Sequence, residues 1–285
     1  MNETWTVRRV VGWTTEYFER REVDSPRLTA EVLLAHVLGA TRVQLYIDLD
    51  RPLSKKELAE CRALIERRVA GEPTQYLTGT REFYGRPFAV DPRVLIPRPE
   101  TELLVDKVLG AIPKETPCRM LDLCTGSGCI AVTVAAERPK TSVVATEVSK
   151  GACEVARANA AALKVADRVQ VLEGDLFGPL EPGSLFDVAV SNPPYVPSGE
   201  IPGLSAEVRR EPMLALDGGG DGLEVTRKLA AQAAQWLRPG ALFALEIHEA
   251  RGAEVVRLLE SAGFDRAGLE KDFSRLNRLA FGYKP

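Results

Sequence analysis

The sequence predicts a doubly wound α/β domain with a small amino-terminal helical domain. Three observations carry this reading. After Pro117 short apolar runs alternate with helical stretches, residues 1–80 carry helix signals alone, and Gly- and Pro-broken extended pieces lie between the two regions. The 285 residues, 45% hydrophobic and 27% charged, have the composition of an ordinary folding chain that buries a sizeable core. Residues 1–86 carry 14 Lys+Arg against 13 Asp+Glu and the remainder 23 against 27, so neither part is a basic patch and direct nucleic-acid binding is not expected. Five cysteines without a Cys-x-x-Cys pair, beside two histidines, predict neither a disulfide framework nor a metal site. No run of about 18 apolar residues occurs, and Met1-Asn2-Glu3-Thr4-Trp5 lacks a basic-then-apolar leader. A cytoplasmic monomer without membrane association is expected.

In the first 80 residues, Ser25-Pro26 reads as an N-cap with proline at the first helical position. The run Leu28 to Leu38 is apolar at helical spacing, and Gly39 stops it. Ser54 with Glu57 makes a capping box for a helix from Lys55 to about Ala70, with Arg67 and Arg68 near its end as the helix dipole prefers. Trp5 and Trp13 are expected in the core and the charged positions on a solvated face. Phe83-Tyr84 and Phe88-Ala89-Val90, broken at Gly85-Arg86-Pro87, predict a hairpin. Pro97 and Pro99 then bracket Arg98, either aiming it at a site or shaping the start of an apolar helix over Leu103 to Leu109. Strands are predicted at 119–123, 142–146, 169–172, 186–190 and 241–247, with two final extended runs at 266–269 and 278–282. Residues 197–222, rich in Pro and Gly, read as a loop, closing over substrate or simply lying on the surface.

The strand ends carry the chemistry. The first runs into Asp122-Leu123-Cys124-Thr125-Gly126-Ser127-Gly128, whose glycines allow a ligand close to the backbone, although the spacing is not Gly-x-Gly-x-x-Gly and no phosphate-loop lysine follows. The second ends at Glu147, nineteen residues beyond Gly128 and placed to accept both ribose hydroxyls. The third ends at Asp175, an acceptor for an adenine amino hydrogen, with Leu176 or Phe177 to cover the ring. This series describes an adenosyl pocket without a pyrophosphate. After the fourth strand stands Asn192-Pro193-Pro194-Tyr195. Two prolines fix φ and remove two amide donors, so the Asn192 side-chain oxygen and a neighbouring carbonyl make a fork for both hydrogens of a planar NH2 group, with the face of Tyr195 beside it. Each element alone is more often structural, and Asn-Pro-Pro is common turn chemistry; the order and spacing of the series single it out.

The stretches 122–131 and 191–195 resemble the class I S-adenosylmethionine-dependent methyltransferases, Rossmann-like enzymes that modify amino groups. Pro26-Arg27-Leu28, the run 30–36, Gly71-Glu72-Pro73-Thr74-Gln75-Tyr76, Glu82-Phe83-Tyr84-Gly85 and the run Val94 to Glu102 resemble the HemK-type glutamine methyltransferases of peptide chain release factors. Glu211-Pro212 and 219–223 extend the likeness over nearly the whole chain. The resemblance implies a substrate-recognition domain over 1–80, a hairpin linker over 81–98 and a methyltransferase domain over 99–285. It implies S-adenosylmethionine held by Asp122, Cys124, Thr125, Gly126, Ser127, Gly128, Glu147, Asp175, Leu176 and Asn192, and no metal. It also implies a release-factor glutamine held by Asn192, Pro193, Pro194 and Tyr195, which carry catalysis, and by Arg98. The chain departs from the family pattern at Cys124, where a first glycine is usual, at Glu147, where many members have Asp, and at Ala241 and His248, where glycine is frequent. These departures put local backbone shape in question. The alternatives are a ribosomal-protein glutamine methyltransferase, a nucleic acid amino (adenine) methyltransferase, which calls for a basic groove or large recognition domain, and a non-catalytic adaptor, against which the intact cofactor series speaks.

Overall fold

A computed structural model describes residues 4–285; residues 1–3, which belong to the stretch read above as lacking a leader, lie outside it. The chain divides into two compact units, one comprising the chain up to Gly79 together with Ser205–Arg210, the other Thr80–Leu204 with Glu211–Pro285. The first unit is helical: α1 (Val7–Glu19), α2 (Pro26–Leu38), α3 (Arg42–Ile47), α4 (Lys55–Val69) and α5 (Thr74–Thr78). α2 is buried nearly all round, between a cluster of Val7, Val10, Leu45 and Cys61 and one of Phe18, Val23, Ile65 and Leu77. Its buried Glu31 is held by Arg27, Arg42 and the Tyr46 hydroxyl. The Ser54–Glu57 capping box forms in both directions, and Gly39 ends α2 at φ 58°. Ser25 does precede α2, but at φ 46° and without a side-chain cap bond. Trp13 does not enter the core: it is 48% exposed, stacked on Tyr17 at 5.1 Å and edge-on to half-buried Trp5 at 6.3 Å. The short Ser205–Arg210 segment joins this unit through the buried Arg68, which pairs with Glu207, and through Arg210, which donates to the Ala70 carbonyl at 2.9 Å.

The second unit opens with a hairpin of β1 (Thr80–Phe83) and β2 (Arg86–Ala89). Tyr84 and Gly85, both at positive φ, make the two-residue turn, so the break falls one residue earlier than the Gly-Arg-Pro signal indicates and Pro87 lies within β2. Phe83 and Phe88 bury themselves in the core beside α6 (Glu102–Ala111). There follow β3 (Cys118–Leu123), α7 (Cys129–Glu137), β4 (Thr141–Glu147), α8 (Lys150–Ala162), β5 (Val169–Glu173) and β6 (Phe186–Ser191). Beyond them come α9 (Met213–Leu216), α10 (Glu224–Ala233), β7 (Leu237–Glu246), α11 (Gly252–Ser261), β8 (Asp265–Lys271) and β9 (Asn277–Tyr283). The seven-stranded sheet has the order β5-β4-β3-β6-β7-β9-β8, parallel through β7 and antiparallel at β9 and β8.

Side chains alternate across the sheet. Met120, Val188, Val190, Leu242 and Ala244 face the core with α6 and α7, while Leu121, Leu123, Ala189, Phe243 and Leu245 face the core with α10 and α11. β3 and β6 are neighbours, yet the chain leaves β3 toward β4 and β5 before returning to β6 on the other side. The gap between their carboxyl ends is the topological switch point, where open α/β sheets form ligand crevices.

Much of the region read as a loop is ordered by backbone contacts. Val196 and Asp217 form a parallel bridge, Val196 N donates to the Leu216 carbonyl, and Gly218 N donates to the Val196 carbonyl, both at 2.9 Å. The glycine run is required by this approach. A Cβ on Gly222, which sits at φ 79°, would lie 2.5 Å from the Tyr195 carbonyl oxygen. Gly222→Ala should therefore cost about 2–4 kcal/mol by adding strain to a steric clash. Urea unfolding will measure it, with Gly220→Ala as the comparison: a Cβ there meets nothing within 4 Å, and its midpoint should stay close to wild type.

Candidate active site

A cavity of about 330 Å³ opens at the carboxyl ends of β3, β4, β5 and β6. Its wall includes Cys124, Thr125, Gly126, Ser127, Glu147, Asp175, Leu176, Asn192, Pro194 and Arg98. The strand-end series thus converges on one crevice, except that Asp122, Gly128, Pro193 and Tyr195 stand behind its wall.

The loop after β3 is held from below. Asp122 is fully buried and accepts from Thr125 Oγ1 at 2.6 Å and from Ala131 N at 3.2 Å, both on Oδ2, so it ties the loop to the first turn of α7. Its Oδ1 has no partner among the described residues, and burial pushes its carboxyl up to about 7. Cys124, standing where a glycine is usual, takes φ 59°: the left-handed backbone that position calls for is kept in spite of a side chain. Desolvation raises its thiol to about 12, which leaves it un-ionised at neutral pH. Gly128, at φ 79°, ends the loop against the backbone of Ala156, where a Cβ would come within 3.2 Å of Cα.

Glu147 closes β4 with only 9% of its surface exposed, and accepts from Gly126 N at 3.0 Å and Ser149 N at 2.9 Å. A carboxylate has about four lone-pair sites, so these bonds fix its direction and leave acceptor capacity toward the cavity. Asp175 is exposed on the wall, and its carboxylate accepts no hydrogen bond among the described residues. Of the two candidate ring covers, Leu176 lines the cavity, its φ of 46° turning the chain there. Phe177 does not reach the cavity: it is buried in the core shared with α10 and α11, stacked on Trp236 at 6.0 Å. The two arginines on the wall are paired: Arg93 with Asp91 and Glu154, and Arg98 with buried Glu211 at 2.5 Å. Glu211 also accepts from Ile96 N at 2.9 Å, so it clamps the Pro97-Arg98-Pro99 stretch. The cavity therefore combines acidic acceptors with already neutralised guanidinium groups, a poor match for a pyrophosphate and a good one for hydroxyls, an amino group and a cation.

Asn192 follows β6 directly and faces the cavity, while its Nδ2 donates to Thr101 Oγ1 at 3.2 Å. Among the described residues its Oδ1 accepts nothing. Pro193 is buried, and Pro194 forms part of the wall. Tyr195 turns its hydroxyl to Glu246 Oε1 at 3.0 Å, with its ring edge-on to His248. Burial, reinforced by Glu246, raises this phenol far above its usual range, so it remains a donor at all working pH. Thr101 and Glu246 were not singled out as site residues from the sequence. The available signal was a lone carboxylate closing the apolar run Leu242-Phe243-Ala244-Leu245-Glu246.

Two family models match the chain: PrmC N-terminal domain over residues 10–79 and methyltransferase small domain over residues 100–227. The release factor glutamine methyltransferase of Geobacter sulfurreducens is 41% identical over 281 residues, covering 98% of this chain and 97% of that protein. The release factor glutamine methyltransferase of Chlorobaculum tepidum is 42% identical over 286 residues, covering 97% and 96%. Among solved structures, a methyltransferase from Pyrococcus furiosus superimposes with a TM-score of 0.54 at 21% identity, covering 80% of this chain and 98% of that one, a likeness of fold alone.

Two expectations follow from the loop. Cys124→Gly removes the left-handed strain but loosens the unfolded chain, opposing effects of about 1 kcal/mol each, so stability should stay within about 1 kcal/mol of wild type. Cys124→Val, β-branched at positive φ, should lose about 2 kcal/mol or more by the same denaturation assay. For Asp122 the folded pKa, about 7, lies above its ordinary 3.8, so the native state holds an extra proton between these values and loses stability as pH rises through that window. Asp122→Asn abolishes this titration; its stability relative to wild type should therefore climb from pH 4 to pH 7, and a flat difference across that range would refute the assignment.

Proposed function

Because the chain belongs to the release factor glutamine methyltransferase family, we propose that it transfers the methyl group of S-adenosylmethionine to the side-chain amide nitrogen of the glutamine in a release factor's Gly-Gly-Gln motif. The observation that carries the catalytic reading is Asn192, whose Oδ1 accepts no hydrogen bond among the described residues and which lines a cavity whose other acceptors suit an adenosyl group. The residues present fit the cofactor. Glu147 is the acceptor for ribose hydroxyls, Asp175 for the adenine amino group, Leu176 a ring cover, and the Thr125–Ser127 backbone a close-approach surface. Asp122 and Gly128 act on this surface from behind, by holding the loop's shape.

When bound, S-adenosylmethionine supplies a sulfonium-activated methyl group. The protein's task is the nucleophile, since an amide nitrogen's lone pair is delocalised into a carbonyl with a rotation barrier of roughly 18–20 kcal/mol. Asn192 Oδ1 and a neighbouring backbone carbonyl of the turn are the acceptors for the two substrate N–H hydrogens. By holding them they orient the nitrogen lone pair toward the cofactor side of the cavity and favour pyramidalisation. The consecutive prolines make this fork rigid, and Pro194 and Arg98 border the entry for the glutamine. No base is required before transfer, because the nitrogen becomes acidic only once methylated. The helical unit, matched by the PrmC N-terminal domain, is assigned recognition of the release factor, in the cytoplasm and by a monomer. The alternative acceptors, a ribosomal-protein glutamine or a nucleic-acid amino group, are not favoured by these relatives. Among the described residues no helix is long and apolar enough to cross a membrane.

Labelled S-adenosylmethionine offered in parallel with a release factor, ribosomal protein and DNA tests the substrate: label should enter the release factor alone, and label in DNA with none in the release factor would sink the reading. Asn192→Ala should lower single-turnover transfer by a factor on the order of 100 or more while calorimetric cofactor affinity changes little. Glu147→Ala should do the reverse, weakening cofactor binding by about 1–3 kcal/mol through the lost ribose acceptor.

A further inference from the structure

The Asn192 amide has two ends, and only one of them suits an N–H substrate. Glu246 closes β7 with the same side-chain parity as Leu242 and Ala244, which brings its carboxylate to the α6 side of the sheet, where Thr101 precedes that helix. The carboxylate is 1% exposed and forms no ion pair among the described residues. It is met instead by two hydroxyls: Thr101 Oγ1 donates to Oε2 at 2.6 Å, and Tyr195 donates to Oε1 at 3.0 Å. The surrounding charges are Arg278 of β9, itself paired with Asp272 at 3.1 Å, and Glu100 in the turn before Thr101.

A hydroxyl has one hydrogen. Thr101 commits its hydrogen to Glu246, so toward Asn192 it can only accept, and Asn192 must present NH2 to it. That places Oδ1 on the cavity side. Were the amide reversed, its oxygen would face the lone pairs of Thr101 in a half-buried site, and the NH2 would meet the donor hydrogens of the substrate amide. We infer that Glu246, acting through Thr101, fixes the polarity of the Asn192 amide and is thereby a positioning residue for methyl transfer, with Tyr195 holding the second carboxylate oxygen. The catalytic consequence rests on the glutamine-amide reading; the polarity itself does not.

The test therefore has two arms. Thr101→Val keeps the shape and removes the hydroxyl, whereas Thr101→Ser keeps the hydroxyl. With asparagine-selective ¹⁵N labelling of the full chain, and Asn192→Ala to assign the signal, wild type and Thr101→Ser should show an Asn192 side-chain proton protected from exchange, which Thr101→Val loses. In single-turnover assays on the release factor, Thr101→Val should reduce the rate on the order of 10–100-fold. Its KM and cofactor affinity should stay near wild type, and Thr101→Ser should restore the rate. An unprotected Asn192 amide in the wild type, a Thr101→Val variant transferring at the wild-type rate, or a loss that Thr101→Ser fails to rescue overturns the inference. A wild-type protein that leaves the release factor unmethylated refutes the substrate assignment instead, and the exchange arm still decides the polarity.

Discussion

Two parallel strands that lie side by side but are reached through opposite halves of the sheet cannot send their connections over the same gap. β3 leaves toward β4 and β6 toward β7, so the space above their carboxyl ends stays open while two chain segments border it. One of them is the glycine loop, tied to α7 by Asp122 and to β4 by Glu147; the other is the Asn-Pro-Pro-Tyr turn. Strand pairing sets the separation of the two segments, since Leu123 is in register with Ser191. The glycine loop and the Asn-Pro-Pro-Tyr turn are thus brought together by hydrogen bonds that belong to neither.

Around that gap, polarity is allocated with economy of charge. The wall carries acidic acceptors, its arginines are already matched to carboxylates, and the buried carboxylates behind it face hydroxyls and backbone amides. Such a carboxylate is costly to bury, and burial raises the pKa values of both Asp122 and Glu246. What the cost secures in each case is directional: Asp122 holds a loop in place, and Glu246 keeps two hydroxyl hydrogens pointing one way. An apolar residue at either place would pack as well and orient nothing.

The strand ends were legible because a parallel strand buried on both faces is an apolar run, and the polar residues two or three positions beyond it mark its carboxyl end. That logic located Glu147, Asp175 and Asn192. It did not say which way Asp122 points, since both faces of β3 are buried and alternation carries no sign there. Nor did it separate Leu176 from Phe177, a choice made by a left-handed backbone angle that no apolar pattern encodes. Glu246 escaped for a different reason: its partner Thr101 lies 145 residues away, and their meeting depends on the strand order of the finished sheet. In the helical unit, the exposure of Trp13 was invisible because hydrophobicity alone argues for burial, whereas aromatic stacking on Tyr17 can accommodate the ring at the surface.

The stacking of Phe177 on Trp236 has an optical consequence. Of the three tryptophans, Trp5 and Trp13 lie in the helical unit, which leaves Trp236 as the only indole in the sheet-bearing unit. Its ring is 8° from parallel with Phe177, whose chain neighbour Leu176 belongs to the cavity wall. A shift of that wall would reach the indole through one phenyl ring. The emission of Trp236, isolated by replacing the other two indoles, should therefore serve as a label-free signal of events on the Leu176 side of the crevice, built into the chain and separate from the Asn-Pro-Pro-Tyr turn.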